Sequence, residues 1–117
     1  MQMHEMDMGG ARPVEGYGPG FFRIGGEVFK GAVLVTLDGA QAWDGWDDSA
    51  ALVALAGEID VIFFGMGEEI AHLPKGLRAK VEAAGMGAEV MSSPAACRTW
   101  NLLAAEGRRV ALAALPV

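Results

Sequence analysis

The apolar positions change rhythm about halfway along the chain. In the first part they come in short runs separated by glycine-rich turns. Residues 21–24 and 27–29 flank Gly25-Gly26, and two such runs joined by Gly-Gly predict a tight hairpin. Residues 32–37 form a β-branched apolar run that Asp38-Gly39 ends with a turn, and residues 41–43 read as a further short strand. Ahead of them, Gly16-Tyr17-Gly18-Pro19-Gly20 reads as a turn-rich lead-in. The first third is therefore expected to be antiparallel.

The second part alternates strand and helix signals. Ser49 stands where an N-cap belongs for a short helix over 50–56, and Gly57 is a helix stop. Residues 61–64 are continuously apolar, the pattern of a strand buried on both faces, and Gly65-Met66-Gly67 ends it. Pro74 opens a second helix in which Leu77, Val81 and Ala84 recur at helical spacing before Gly85. Residues 88–91 read as a strand. Ser93 is then expected to cap a third helix, with Pro94 at its first position, Ala96, Trp100, Leu103 and Ala104 on its apolar face, and Gly107 as its end. Residues 110–115 form the last strand. The order strand, helix, strand, helix, strand predicts parallel pairing with right-handed crossovers.

At 117 residues and 52% hydrophobic content, the chain has the size and the apolar mass for one domain with a real core. Residues 13–117 are assigned to that domain and residues 1–12 to a flexible tail, because the tail has no helical or strand period. Met3, His4, Glu5, Met6, Asp7 and Met8 supply metal-ligand types in the tail, but nothing there preforms a geometry, and no metal site or cofactor is expected. A net charge of −6 and a pI near 4.7 argue against nucleic acid as a partner and against docking on an anionic membrane by charge alone. A single cysteine makes no internal disulfide and suits a reducing compartment. There is no apolar run of membrane-spanning length, and the N-terminal residues lack the basic and apolar regions of a secretory signal. A bacterial cytoplasmic location is expected.

Several stretches together resemble a known family. They are Y-G-P-G-F-F-R-I-G-G (17–26), G-A-V-L-V (31–35), E-I-D-V-I-F-F-G-M-G (58–67), L-R-A-K-V-E-A-A-G-M-G-A-E-V-M (77–91) and A-A-C-R-T-W-N-L-L-A-A-E-G-R-R-V-A (95–111). The chain resembles, from about Arg12 to its end, a small α/β family of bacterial and archaeal proteins whose best-known eukaryotic member is assembly factor 3 of mitochondrial respiratory complex I. The last stretch is the most specific. Family members more usually carry Tyr where this chain has Trp100, a departure that keeps a large aromatic. The resemblance implies a three-layer α/β fold and a role in building or inserting membrane respiratory enzymes, with protein partners and peripheral association at the inner membrane. It carries no catalytic residues over. The fold expected from residues and resemblance together is a three-layer mixed sheet, with an antiparallel hairpin at the front and a parallel βαβαβ core behind.

Candidate chemistry gathers where the strands end, since ligands of open α/β sheets sit beyond the carboxyl ends of the strands. The start of the third helix has unpaired N–H groups and a positive dipole end, which suit a carboxylate or phosphate. Gly65 and Gly67, with Ser92, Ser93, Cys97, Arg98 and Asn101, outline a small-anion pocket there. The Gly65-Met66-Gly67 turn lacks the third glycine of a dinucleotide fingerprint. Cys97 beside Arg98 invites a thiol nucleophile, but the only histidines are His4 and His72, and neither is placed near it by the sequence, so no catalytic residue is assigned. Trp43 and Trp46, among Asp44, Asp47 and Asp48, are candidates for a partner interface, where aromatic residues are enriched. Two functions follow: a non-catalytic assembly or scaffold factor that binds proteins, and, as the alternative, a small-anion-binding protein or minor enzyme using the pocket between the Gly65–Gly67 loop and the Ser92–Asn101 helix start.

Overall fold

The computed structural model describes residues 11–117; the tail residues with metal-ligand side chains, Met3 to Met8, lie outside them. The packing begins earlier than the expected domain boundary. Ala11 is buried in the core, and the Arg12 carbonyl accepts the indole N–H of Trp100 at 3.2 Å. Residues 11 and 12 therefore belong to the domain rather than to the tail.

The antiparallel front third splits between two sheets. Strands β1 (Val14–Gly18), β2 (Phe21–Ile24) and β3 (Glu27–Lys30) form a three-stranded antiparallel sheet of their own. The β2–β3 hairpin turns at Gly25-Gly26 as expected. Both glycines have positive φ (56° and 84°), the backbone that a two-residue hairpin turn requires. Strands β4 (Val33–Thr36) and β5 (Gly39–Ala42) instead join the main sheet, with β6 (Val61–Gly65), β7 (Gly87–Met91) and β8 (Val110–Ala114), in the order β5-β4-β8-β6-β7. β6 is parallel to both β7 and β8, while β4 is antiparallel to β5 and β8. The result is the mixed three-layer α/β arrangement expected.

Each strand of the main sheet sends alternate side chains to opposite layers. Val33, Val35, Phe63, Leu112 and Ala114 face a core shared with Phe22, Ile24 and helix α3 (Ser93–Ala105). Leu34, Ile62, Phe64, Ala111 and Ala113 face α1 (Ser49–Val53) and α2 (Lys75–Ala83). The two crossover helices lie on opposite faces because the chain moves outward from β6 to β7 and then back past β6 to β8. A single handedness demands that change of face.

Two helix caps sit one residue earlier than the pattern suggests. Asp48, not Ser49, accepts the N–H of Ala51 at 3.3 Å, and Ser92, not Ser93, accepts that of Ala95 at 3.3 Å. In both cases the side chain three residues before the N–H has the reach that capping needs. β1 was legible only as a turn-rich lead-in. It becomes a strand by pairing with β2, with a register shift between Val14 and Gly16.

Among the described glycines, the closest approach to another segment's backbone is at Gly65. A Cβ built there would lie 2.8 Å from the Cα of Ser93 and 3.1 Å from the Cβ of Ala114. Because one of those neighbours is backbone, it has no rotamer by which to yield. Gly65→Ala is expected to lower unfolding free energy by about 1–3 kcal/mol through overpacking, read from the midpoint of chemical denaturation, whereas Gly76→Ala in α2, where nothing lies within 4 Å, is expected to leave it unchanged or raise it.

Candidate functional site

The strand-end region does bring most of the expected residues together, but it brings them into contact with one another. The Gly67 N–H donates to the Ser93 hydroxyl at 2.9 Å, the Ser93 N–H donates to the Gly67 carbonyl at 2.7 Å, and the Ser93 hydroxyl donates to the carbonyl of Leu115. Ser93 is 1% exposed, and this three-way joint ties the end of β6, the start of α3 and the exit of β8. The donors that an anion would use at the helix start are already occupied. The Ser93 N–H goes to Gly67, Pro94 has none, the Ala95 N–H goes to the Ser92 hydroxyl, and the Ala96 N–H goes to the Ser92 carbonyl at 2.9 Å. The dipole of α3 is thus met by neighbouring backbone and its own cap.

Further along α3, neighbouring residues part company. Cys97 is 3% exposed in the core, while Arg98 is exposed. Burial pushes the Cys97 thiol up to about 12, against the opposing pull of the Arg98 charge. A thiol held protonated is the reverse of an activated nucleophile. His72 is no base for it: Cys97 packs on the α3 face of the main sheet, and the groove that His72 lines opens on the α2 side.

Asn101 has a job that spacing alone does not reveal. Its amide accepts the Val14 N–H at 2.8 Å and donates to the Val14 carbonyl at 2.9 Å, standing in for a strand partner of β1. With the Trp100 indole on the Arg12 carbonyl, one turn of α3 grips the whole approach to β1. The tryptophans of the 43–48 segment are likewise engaged. Trp43 is 4% exposed and donates its indole N–H to the Asp48 carbonyl at 3.1 Å. Trp46 is half-buried, edge-on to Trp43 with centroids 5.3 Å apart, and tilted against Phe64 at 6.1 Å. Only part of Trp46 remains to meet a partner.

A groove that the sequence reading did not single out lies on the other side of the sheet. It encloses about 720 Å³ and is lined by Ile70, His72, Leu73, Lys75, Arg78 and Val90. Its one legible signal was Ile70, an apolar residue in the polar stretch Glu68-Glu69-Ile70-Ala71-His72, and Ile70 is 67% exposed. Among the described residues there is no cluster of His, Cys, Asp and Glu able to hold a metal ion, and no helix long and apolar enough to cross a membrane.

These features define a small three-layer α/β domain in which Gly67, Ser92 and Ser93 at the strand ends bond to neighbouring backbone. Residues 14–115 match the family described as a protein of unknown function (DUF498/DUF598), and the chain belongs to that family. It is 52% identical, over its whole length and 94% of the other chain, to an uncharacterised protein of Rhodobacter capsulatus. Among solved structures it is similar to a protein from Bartonella henselae described as an outer membrane protein, with a TM-score of 0.85 and 30% identity over 92% of this chain and 97% of that one. It is also similar to a Bordetella pertussis protein described as a Mth938-like domain, with a TM-score of 0.78 and 26% identity over 99% of this chain and 92% of that one.

Two outcomes test the structural reading of these side chains. Asn101→Ala leaves the Val14 N–H and carbonyl unpaired. It is expected to cost about 1–3 kcal/mol of unfolding free energy and to speed amide exchange at Val14 ahead of β8; unchanged stability and exchange would return Asn101 to the list of ligand contacts. For Cys97, the folded thiol keeps its proton after the unfolded thiol, with its ordinary value of 9.0, has lost it. The contribution is therefore fully present below pH 9.0 and is lost as pH rises toward 12. A denaturation series across that interval is expected to show a fall in stability that is shallower in Cys97→Ala, and thiol reagents are expected to label Cys97 only as fast as the domain opens.

Proposed function

We propose that this chain is a non-catalytic assembly or scaffold factor that acts through protein–protein contacts. The observation that carries this reading is how the surface is divided. Gly67 and Ser93 at the strand ends are bonded to each other, whereas Ile70 stands 67% exposed at an apolar groove beside a sheet edge that no further strand covers among the described residues. Exposed apolar surface rimmed by polar residues is the mark of an interaction site. The object assembled is respiratory complex I or another membrane protein complex, a reading supported by the resemblance of residues 17–26, 58–67 and 95–111 to the mitochondrial assembly factor. The chain then works from the cytoplasm, meeting its partners peripherally at the inner membrane.

The test is affinity capture of the tagged full chain at native expression level, with mild cross-linking and solubilised membranes. Recovery of defined respiratory-complex or membrane-insertion subunits is expected. Recovery of the bait alone, under conditions in which a known assembly factor of the same cell retains its partners, would overturn the reading.

A further inference from the structure

We infer that the groove beside β7 receives an extended acidic segment of a partner protein, which adds to the main sheet as a sixth strand. The inference rests on the protein-binding reading above and specifies the chemistry of the partner.

The first observation is the backbone of β7. Among the described residues this strand ends the sheet, with β6 on one side and no strand on the other. The Gly87 N–H donates to the Asp60 carbonyl at 2.8 Å, and the Met91 carbonyl accepts the Met66 N–H at 2.9 Å. Gly87 and Met91 therefore point their backbone groups toward β6, as does Glu89 between them. In a parallel ladder alternate residues face opposite edges, so Ala88 and Val90 point theirs outward. The Ala88 carbonyl is already taken by the Arg78 guanidinium at 3.2 Å. The N–H and carbonyl of Val90 have no partner among the described residues and lie along the groove. An open strand edge with unpaired groups is the template for strand addition.

The second observation is the groove itself. Leu73 and Val90 pack into the core on the α2 side, and Ile70 lines the groove with them, giving an apolar seat for a side chain of the added strand. The third is charge. On a chain of net charge −6, this groove is lined by Lys75 and Arg78. Arg78 is partly balanced by Glu82 at 3.6 Å, whereas Lys75 is exposed and has no carboxylate partner among the described residues. A segment that alternates apolar and acidic residues meets the seat and the rim together. A second copy of the chain fits less well, because its own β7 edge carries the same cationic rim.

The experiment uses the full chain, isotope-labelled, and three capped six-residue peptides followed by NMR. One alternates Val and Asp, one alternates Val and Lys, and the third is the Val/Asp peptide with its edge-facing amides N-methylated. The Val/Asp peptide is expected to shift the amides of Val90 and Ala88, and the other two are expected to bind at least about tenfold more weakly. Ile70→Asp and Lys75→Glu, both at exposed positions and so neutral for folding, are expected to weaken the Val/Asp peptide by a similar factor. Equal binding of the Val/Lys or N-methylated peptide, or no shift at Val90, overturns strand addition. So does an equal response to acetate alone, which would make the groove a small-anion site, and so does dimerisation of the free chain through β7. The two variants also separate this inference from the broader reading: if capture of membrane-complex subunits succeeds and Ile70→Asp and Lys75→Glu leave it intact, the groove assignment fails while the assembly role stands.

Discussion

The fold depends on how closely α3 can sit against the main sheet. That distance is set by Gly65, which offers no Cβ where the backbone of Ser93 must lie, and by the Ser93 hydroxyl, which accepts from Gly67 and donates to Leu115. A buried hydroxyl with no partner would cost more than its hydrogen bonds gain, so the joint is stable only because both of its bonds are made. Once α3 is seated there, Trp100 and Ala104 enter the core as a matter of helical period, and Cys97 enters with them. The same seating carries Asn101 to the start of β1, so one helical turn adds hydrogen bonds to the small sheet where Phe22 and Ile24 already share its core with the large one.

This arrangement explains why the strand-end region looks like a ligand site and behaves as a hinge-pin for the fold. Small residues, hydroxyls and a helix start are what phosphate or carboxylate binding requires, because each supplies a donor or lets backbone approach. The same residue types are required when two chain segments must cross at close range and satisfy each other's N–H and carbonyl groups. The two uses differ in where the partner comes from. Here the Gly67 and Ser93 backbones are reciprocal partners, and the Ser92 side chain completes the turn.

The exposed apolar Ile70 and its groove lie on the α2 side of the sheet. On the sheet's β7 edge the Ala88 carbonyl is taken by Arg78, and Val90, which lines the groove with Ile70, is left open among the described residues. Natural sheets usually blunt such an edge with charge or cover. In this chain the cover extends over part of β7, and the uncovered part is the part beside the apolar groove. The structural neighbours share the overall architecture in which this edge lies.

The sequence by itself determined the elements whose signals are local. The Gly25-Gly26 hairpin turn, the apolar run of β6, the helical period of Leu77 and Val81, and the alternation that makes β6, β7 and β8 parallel all follow from torsional freedom and from which face must leave water. Tertiary structure alone decided what depends on residues distant in the chain. β1, rich in glycine, is a strand because β2 pairs with it, and Asn101, 87 positions away, bonds its first residue, Val14, on the other side. Cys97 and Arg98 are neighbours in sequence but one is core and the other solvent, since a helix rotates each successive residue by about 100°. The split of the antiparallel segment between two sheets, and the outward turn of Val90 at the end of one of them, are set by which strands find partners. Pairing over such separations leaves no periodic trace in the chain.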